Sequence, residues 1–160
     1  MLVVSQKADD SEKESSAFAF LRNDLKMFTH THQLRPRYGE TDQMGFVYYG
    51  VYLSYYEVAR VEALRSLGLS YKKLEADGIW MPVLENHSYY QVPATYDELL
   101  SIRTTIPELP KSRIRFQYEI MGESQKSLHS GETLLCFLNK VSGRPCRPPQ
   151  VLLEKLAPYF

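Results

Sequence analysis

YGETDQMGFVYYGVYLSYYEVAR, residues 38 to 60, holds six of the chain's twelve tyrosines, three of its eight glycines and one aspartate, Asp42. Two patterns meet inside it. Gly39 to Gly45 is turn chemistry, and Thr41-Asp42 stands where a side-chain oxygen caps exposed backbone N–H groups, worth about 1 kcal/mol. From about Tyr48 the pattern turns helical and runs to Leu67, with Tyr52, Tyr55, Tyr56, Ala59, Ala63, Leu64 and Leu67 recurring at intervals of three and four. Glu57, Arg60, Glu62 and Arg65 are spaced for i,i+3 pairs, and Gly68 stands where a helix commonly ends in a left-handed residue. An aromatic face this broad predicts a helix covered by a sheet.

Outward from that helix the chain reads mostly as strands. Thr29 to Tyr38 alternates loosely up to Pro36 and predicts an edge strand. Ser70 to Ala76 predicts a short helix capped by Ser70 and stopped at Gly78. Ile79 to Val92, Glu98 to Ile106, Arg113 to Met121 and Ser127 to Val141 are rich in β-branched and aromatic residues and are separated by turn signals. Connections this short favour antiparallel neighbours. Pro149 to Ala157 predicts a closing helix. The expected class is α+β, an antiparallel sheet of about five strands around one long helix. One helix covers little of such a sheet, so a dimer is expected. Residues 29–160 form the domain, with residues 1–28 an N-terminal extension. Its first fifteen residues are too charged and serine-rich to order themselves, and Ser16 to Phe28 spaces Phe18, Leu21, Leu25 and Phe28 as a short amphipathic helix.

Composition narrows the chemistry. Nineteen basic and nineteen acidic residues among 160 cancel, which removes the broad charge footprint of a protein that holds nucleic acid or an anionic membrane. The apolar runs fall short of the roughly 20 residues that cross a bilayer, and Met1 to Val4 is too short for a signal-peptide core. A soluble, cytoplasmic protein is expected. Cys136 and Cys146 carry no metal-ligand spacing and read as free thiols. No glycine-rich phosphate loop, HExxH, GxSxG or CxxC occurs. His30 and His32 alternate on one strand face without an acidic or cysteine partner, so no metal and no cofactor is expected.

What remains is a carboxylate beside a helix start. Asp42 satisfies a turn role, and it also suits chemistry, because the exposed N–H groups of a helix start favour an oxyanion. Base and oxyanion hole could then lie in one short segment. Thioester hydrolysis needs little more, since a thiol of pKa about 8.5 leaves as thiolate without a strong general acid. One carboxylate, as base for water or as nucleophile, suffices.

Residues Tyr38, Thr41-Asp42, Gly45, Val47-Tyr48-Tyr49, Tyr52, Glu57 and Arg60 resemble the opening motif of the hotdog-fold acyl-CoA thioesterases of the 4-hydroxybenzoyl-CoA thioesterase type. Pro93 to Leu99 resembles that family's "P-A-x-x-D-D/E" turn, and Gly143 to Pro149 its closing "K/R-P-R-x-x-P". The resemblance covers about Thr29 to Leu156. It implies a hotdog fold, hydrolysis of a small or medium acyl-CoA to the free acid and CoA, and a homodimer or homotetramer with sites between subunits. Asp42 matches the family's catalytic aspartate, and Tyr49 matches a Tyr or His neighbour that positions substrate or Asp42. Gly50-Val51 stands where members often carry Pro, Ala, Asn or Ser, and Tyr49 replaces the histidine of a bacterial short-chain branch.

For substrate binding, Gly45, Val47 and Tyr48 line up beside Asp42. Lys111 and Arg113, which alternation sends to one strand face with Arg115, are candidates for the CoA phosphates. Tyr52, Tyr55 and Tyr56, at helical spacing, read as core. Two other readings stay open: a non-catalytic acyl-CoA binder, and a hotdog dehydratase or hydratase using His87 as the histidine of the acyl tunnel.

Overall fold

Ile114, Phe116, Tyr118 and Ile120 are buried while Arg113, Arg115, Gln117 and Glu119 alternate with them, so one face of this strand meets the core. The same alternation, carried across five strands, builds the fold. A computed structural model describes residues 26–160. Among them the strands are β1 (Phe28–Leu34), β2 (Ile79–Trp80), β3 (Val83–Tyr90), β4 (Leu100–Ile106), β5 (Arg113–Met121), β6 (Ser127–Cys136) and β7 (Leu138–Asn139). The α-helices are α1 (Tyr52–Ser66), α2 (Tyr71–Ala76) and α3 (Gln150–Leu156).

The main sheet is fully antiparallel in the order β1-β4-β5-β6-β3, with β2 and β7 pairing separately. Its register aligns rows of inward side chains: His32, Ile102, Ile120, His129 and Tyr90 in one, and His30, Thr104, Tyr118, Gly131 and Ser88 in the next. The opposite face carries charge, including the Arg103–Glu119 and Arg115–Glu132 pairs.

Helix α1 lies against the inner face. Tyr52, Tyr55, Tyr56, Ala59, Ala63 and Leu64 are all buried, and the two alanines let the helix approach the sheet closely. Tyr56 stacks on Tyr118 with ring centroids 4.1 Å apart and planes within 5°. That stack needs Gly131, where a Cβ would run into the Tyr56 hydroxyl and the His87 carbonyl. The helix ends at Gly68, with φ +76° and Leu69 N–H reaching the Leu64 carbonyl at 3.0 Å, a Schellman closure.

Five expectations shift. The helical run starts as a 3-10 turn, Tyr49–Val51, because Tyr48 is still extended in ψ and the first hydrogen bond closes from Val51 N–H to the Tyr48 carbonyl. Pro82 separates β2 from β3, since it has no N–H to donate to a ladder. Phe137 parts β6 from β7, its N–H turning to the Ser112 carbonyl at 3.5 Å. Arg60 does not sit on the surface to pair with Glu57: it is 8% exposed and its guanidinium reaches the Tyr118 phenol. The helix over Ser16 to Phe28 lies outside the described residues except for its last three, and Phe28 opens β1 instead, edge-on to Tyr159 at 5.1 Å.

Candidate active site

Between β1 and α1 the chain folds back on itself. Thr41 bridges Val47, Asp42 N–H donates to the Phe46 carbonyl at 2.8 Å, and Gly45 N–H donates to the Asp42 carbonyl at 3.0 Å. Gly45 has φ +81°, a conformation that costs any residue with a Cβ, so a glycine is needed here. Asp42 then caps its own turn: Oδ1 accepts from Met44 N–H at 2.9 Å and Phe46 N–H at 3.4 Å. Oδ2 has no hydrogen-bond partner among the described residues. One oxygen is thus fixed and the other is available.

Two further contacts hold this loop on the helix. Phe46 bridges Thr95, Val47 N–H donates to the Ala94 carbonyl at 2.9 Å, and Ala94 N–H donates to the Tyr52 hydroxyl at 3.2 Å. The Pro93 to Leu99 turn therefore clamps the Asp42 loop. Glu40 provides the other tie, because its Oε2 accepts from the Tyr55 hydroxyl at 2.8 Å and Arg37 N–H at 2.7 Å. Burial first, and then this bond, push the Tyr55 phenol far above its ordinary value, so it stays a donor. Glu40 is committed in this way, which leaves Asp42 as the carboxylate of the loop with an unoccupied oxygen.

The amides at the start of the helical run divide in the same manner. Tyr48 N–H donates to the Glu40 carbonyl at 2.9 Å and Val51 N–H to the Tyr48 carbonyl. The N–H groups of Tyr49 and Gly50 have no acceptor among the described residues, as the first donors of a helical run lack one. Tyr48 and Tyr49 lie beside them, 46% and 63% exposed, with ring centroids 4.4 Å apart. Gly50 makes room for the Tyr48 ring, which a Cβ there would meet at 3.1 Å. Hydrogen bonding to Tyr49 raises the Tyr48 phenol. A carboxylate oxygen, two unpaired amides and two exposed aromatic rings thus belong to one loop and the helical start that follows it.

The remaining candidates fall elsewhere. Val47 is 5% exposed, its amide is occupied, and it anchors the loop in the core. Lys111 and Arg113 border a shallow depression with Glu108, Leu109 and Ser112. Arg113 pairs with Cys136 at one end of β5 and Met121 with Ser101 at the other, next to the Leu100–Leu34 pair that leads into the Asp42 loop. Arg113, with Lys111 just before it, thus lies at the end of β5 opposite the one next to the Asp42 loop, and the strand between those ends is about 26 Å long, eight intervals of about 3.3 Å. Arg115 is bound to Glu132.

His87 does not lie in a tunnel. It sits on the outer face of β3, about half exposed and 3.6 Å from Glu85. Of the inner-face histidines the fully buried one is His129, which sequence reading passed over. Its alternation with Gly131, Thr133 and Leu135, opposite the polar parity of Ser130 and Glu132, is the signal that marks its face. Its ring stacks on Tyr52 at 4.3 Å and meets Tyr90 at 4.6 Å, and the Tyr90 hydroxyl donates to the Tyr49 carbonyl at 3.1 Å.

A model of the thioesterase-like superfamily matches residues 36–156, a span that holds the loop, the helix and the whole clamp. The chain belongs to the thioesterase-like superfamily. Its fold, one long helix against an antiparallel five-stranded sheet, is the hotdog fold of that superfamily. The acyl-CoA thioester hydrolase YbgC of Escherichia coli O6:H1 is 28% identical over 122 residues, which are 76% of this chain and 91% of that protein. A DHNA-CoA thioesterase from Staphylococcus aureus is similar with a TM-score of 0.72 and 31% identity, over 74% of this chain and 80% of that one. The hypothetical protein TT1821 from Thermus thermophilus gives a TM-score of 0.76 and 33% identity, over 81% and 98%. This superfamily member is a thioester hydrolase. No described helix is long and apolar enough to cross a membrane.

Proposed function

We propose that this thioesterase-superfamily chain hydrolyses small or medium acyl-CoAs to the free acid and CoA, with Asp42 as the catalytic carboxylate. The observation that carries the reading is that Asp42 Oδ2 and the amides of Tyr49 and Gly50 are both left without partners on one short loop-helix segment. Asp42 activates water or attacks the thioester carbonyl itself, and the two amides receive the oxyanion. The CoA thiolate, of pKa about 8.5, leaves unaided. Tyr48 and Tyr49 form the lip of the acyl pocket.

The site is completed by a second copy of the chain. Strand β3 is a sheet edge eight residues long with Val83, Leu84, Tyr89 and Tyr90 exposed, a long apolar edge of the kind that pairs. Antiparallel pairing of two β3 strands brings the Val83 end of one sheet beside the Tyr90 end of the other. That places the partner copy's basic β4–β5 turn on the side of this chain's Asp42, where its Lys111 and Arg113 equivalents would meet CoA phosphates. Two such dimers could stack as a tetramer.

The direct test measures thiol release across straight-chain and aryl acyl-CoAs. Turnover on at least one supports the reading, whereas saturable binding with no turnover on any would make this an acyl-CoA-binding protein instead.

A further inference from the structure

His129 has no role in the chemistry above, yet it stands next to it. Its side chain is wholly buried, and neither Nδ1 nor Nε2 has a hydrogen-bond partner among the described residues. Buried polar groups are paired in the great majority of cases, and one that is not calls for a reason. Here the neighbours decline to supply one. Tyr52, stacked on the imidazole, uses its hydroxyl to accept from Ala94 N–H, and Tyr90 turns its hydroxyl to the Tyr49 carbonyl. Tyr56, the third ring of the box, lies 5.6 Å away with its hydroxyl near Ser88. The box is therefore aromatic on its walls, and its polar atoms without a hydrogen-bond partner among the described residues are the His129 nitrogens and the Tyr56 hydroxyl.

Tyr90 connects this box to the reaction centre. One end of it touches the imidazole, and the other is bonded to the carbonyl of Tyr49, whose own amide faces the proposed oxyanion position. It is also the exposed wall, at 54%, on the β3 edge. It is thus the wall that a path from the thioester toward His129 would have to displace.

Resting on the thioesterase reading, we infer that His129 is a specificity-determining residue at the far end of the acyl pocket. Its imidazole bonds a hydroxyl or carbonyl oxygen on the acyl group, so that the enzyme favours acyl-CoAs bearing such a group over hydrocarbon ones of the same length. Burial lowers the His129 pKa to about 4, so at neutral pH the ring offers one donor and one acceptor. A hydroxyl matches both roles, and a carboxylate matches only the donor.

The test compares kcat/KM on matched pairs, hexanoyl-CoA against 6-hydroxyhexanoyl-CoA and benzoyl-CoA against 4-hydroxybenzoyl-CoA. For the wild-type chain the hydroxylated member of at least one pair is expected to be preferred by about tenfold or more, since an unpaired buried group penalises the analogue that cannot bond it. His129→Phe should bring that ratio close to one, and His129→Asn, which retains a donor and an acceptor, should restore part of it. No preference in the wild type, or a preference that survives His129→Phe, overturns the assignment. Should His129→Phe not fold, the nitrogen resonances of His129 in the wild type decide: a non-hydrolysable thioether analogue of the preferred hydroxyacyl-CoA must shift them, and an unchanged spectrum at saturation overturns it. If the wild type hydrolyses none of the four, the thioesterase reading fails first and this one with it. Turnover without selectivity removes this one alone.

Discussion

At the scale of single residues, the account turns on which polar atoms are occupied and which are not. Asp42 uses Oδ1 to hold its turn and keeps Oδ2 available, while Glu40, two residues earlier, has its carboxylate tied to Tyr55 and Arg37. Gly45 sets up that division, and Gly45→Ala should cost about 1–2 kcal/mol because a Cβ is disfavoured at φ +81°. Thermal unfolding measures it, and hydrolysis should fall with it as the Asp42 turn shifts. His129 adds a pH signature. Its folded pKa of about 4 lies below the ordinary 6.5, so between those values the unfolded chain binds a proton that the folded chain refuses. Stability should therefore be unaffected by this group above pH 6.5 and decline as pH falls toward 4, by about 3 kcal/mol in all. Denaturant titrations of wild type and His129→Phe across that range should differ in slope accordingly, and parallel curves would refute the burial effect.

Elements were legible in the sequence where one period ran unbroken. Tyr52 to Leu67 and the β5 alternation each repeat a single spacing, and α1 and β5 follow them closely. Boundaries were less legible because they depend on contacts distant in sequence. The 3-10 start at Tyr49 follows from Glu40 occupying the Tyr48 amide, and the inward turn of Arg60 follows from Tyr118, fifty-eight positions away, offering its phenol. Asp42 could be singled out by its place just upstream of a helix start and by the motif it resembles, but Oδ1 and Oδ2 could not be told apart. His129 was missed because an isolated histidine carries no spacing of its own, and only the strand pairing shows what it faces. The packing of α1 on the sheet rests on Gly131. Gly131→Ala forces a Cβ into the Tyr56 hydroxyl and the His87 backbone and should destabilise by about 3 kcal/mol, at the upper end for overpacking. A melting temperature within a degree or two of wild type would contradict the stacking of Tyr56 on Tyr118 as described.

For the molecule as a whole, the length of β5 places Lys111 and Arg113 at the far end of the sheet from the Asp42 loop, and the proposed dimer is what would bring both to one CoA. Val83→Lys combined with Tyr89→Lys on the β3 edge should yield a folded monomer by light scattering, with weakened hydrolysis at low substrate. Removal of both basic side chains, Lys111→Ala with Arg113→Ala, should raise KM about tenfold and leave kcat nearly unchanged. Mixing that chain with Asp42→Asn chains should then restore activity at low substrate, because each mixed dimer rebuilds one site from an intact Asp42 and an intact basic turn; no recovery would place both halves of the site in one chain. The central claim is that Asp42 does the chemistry, and Asp42→Asn tests it most directly. Asparagine keeps Oδ1 for the Met44 amide and so preserves the turn, while removing the basic, nucleophilic oxygen. With the best acyl-CoA, kcat should fall by about 10²–10⁴ while the melting temperature and substrate binding stay close to wild type. Hydrolysis at an undiminished rate by a folded Asp42→Asn chain would contradict the account.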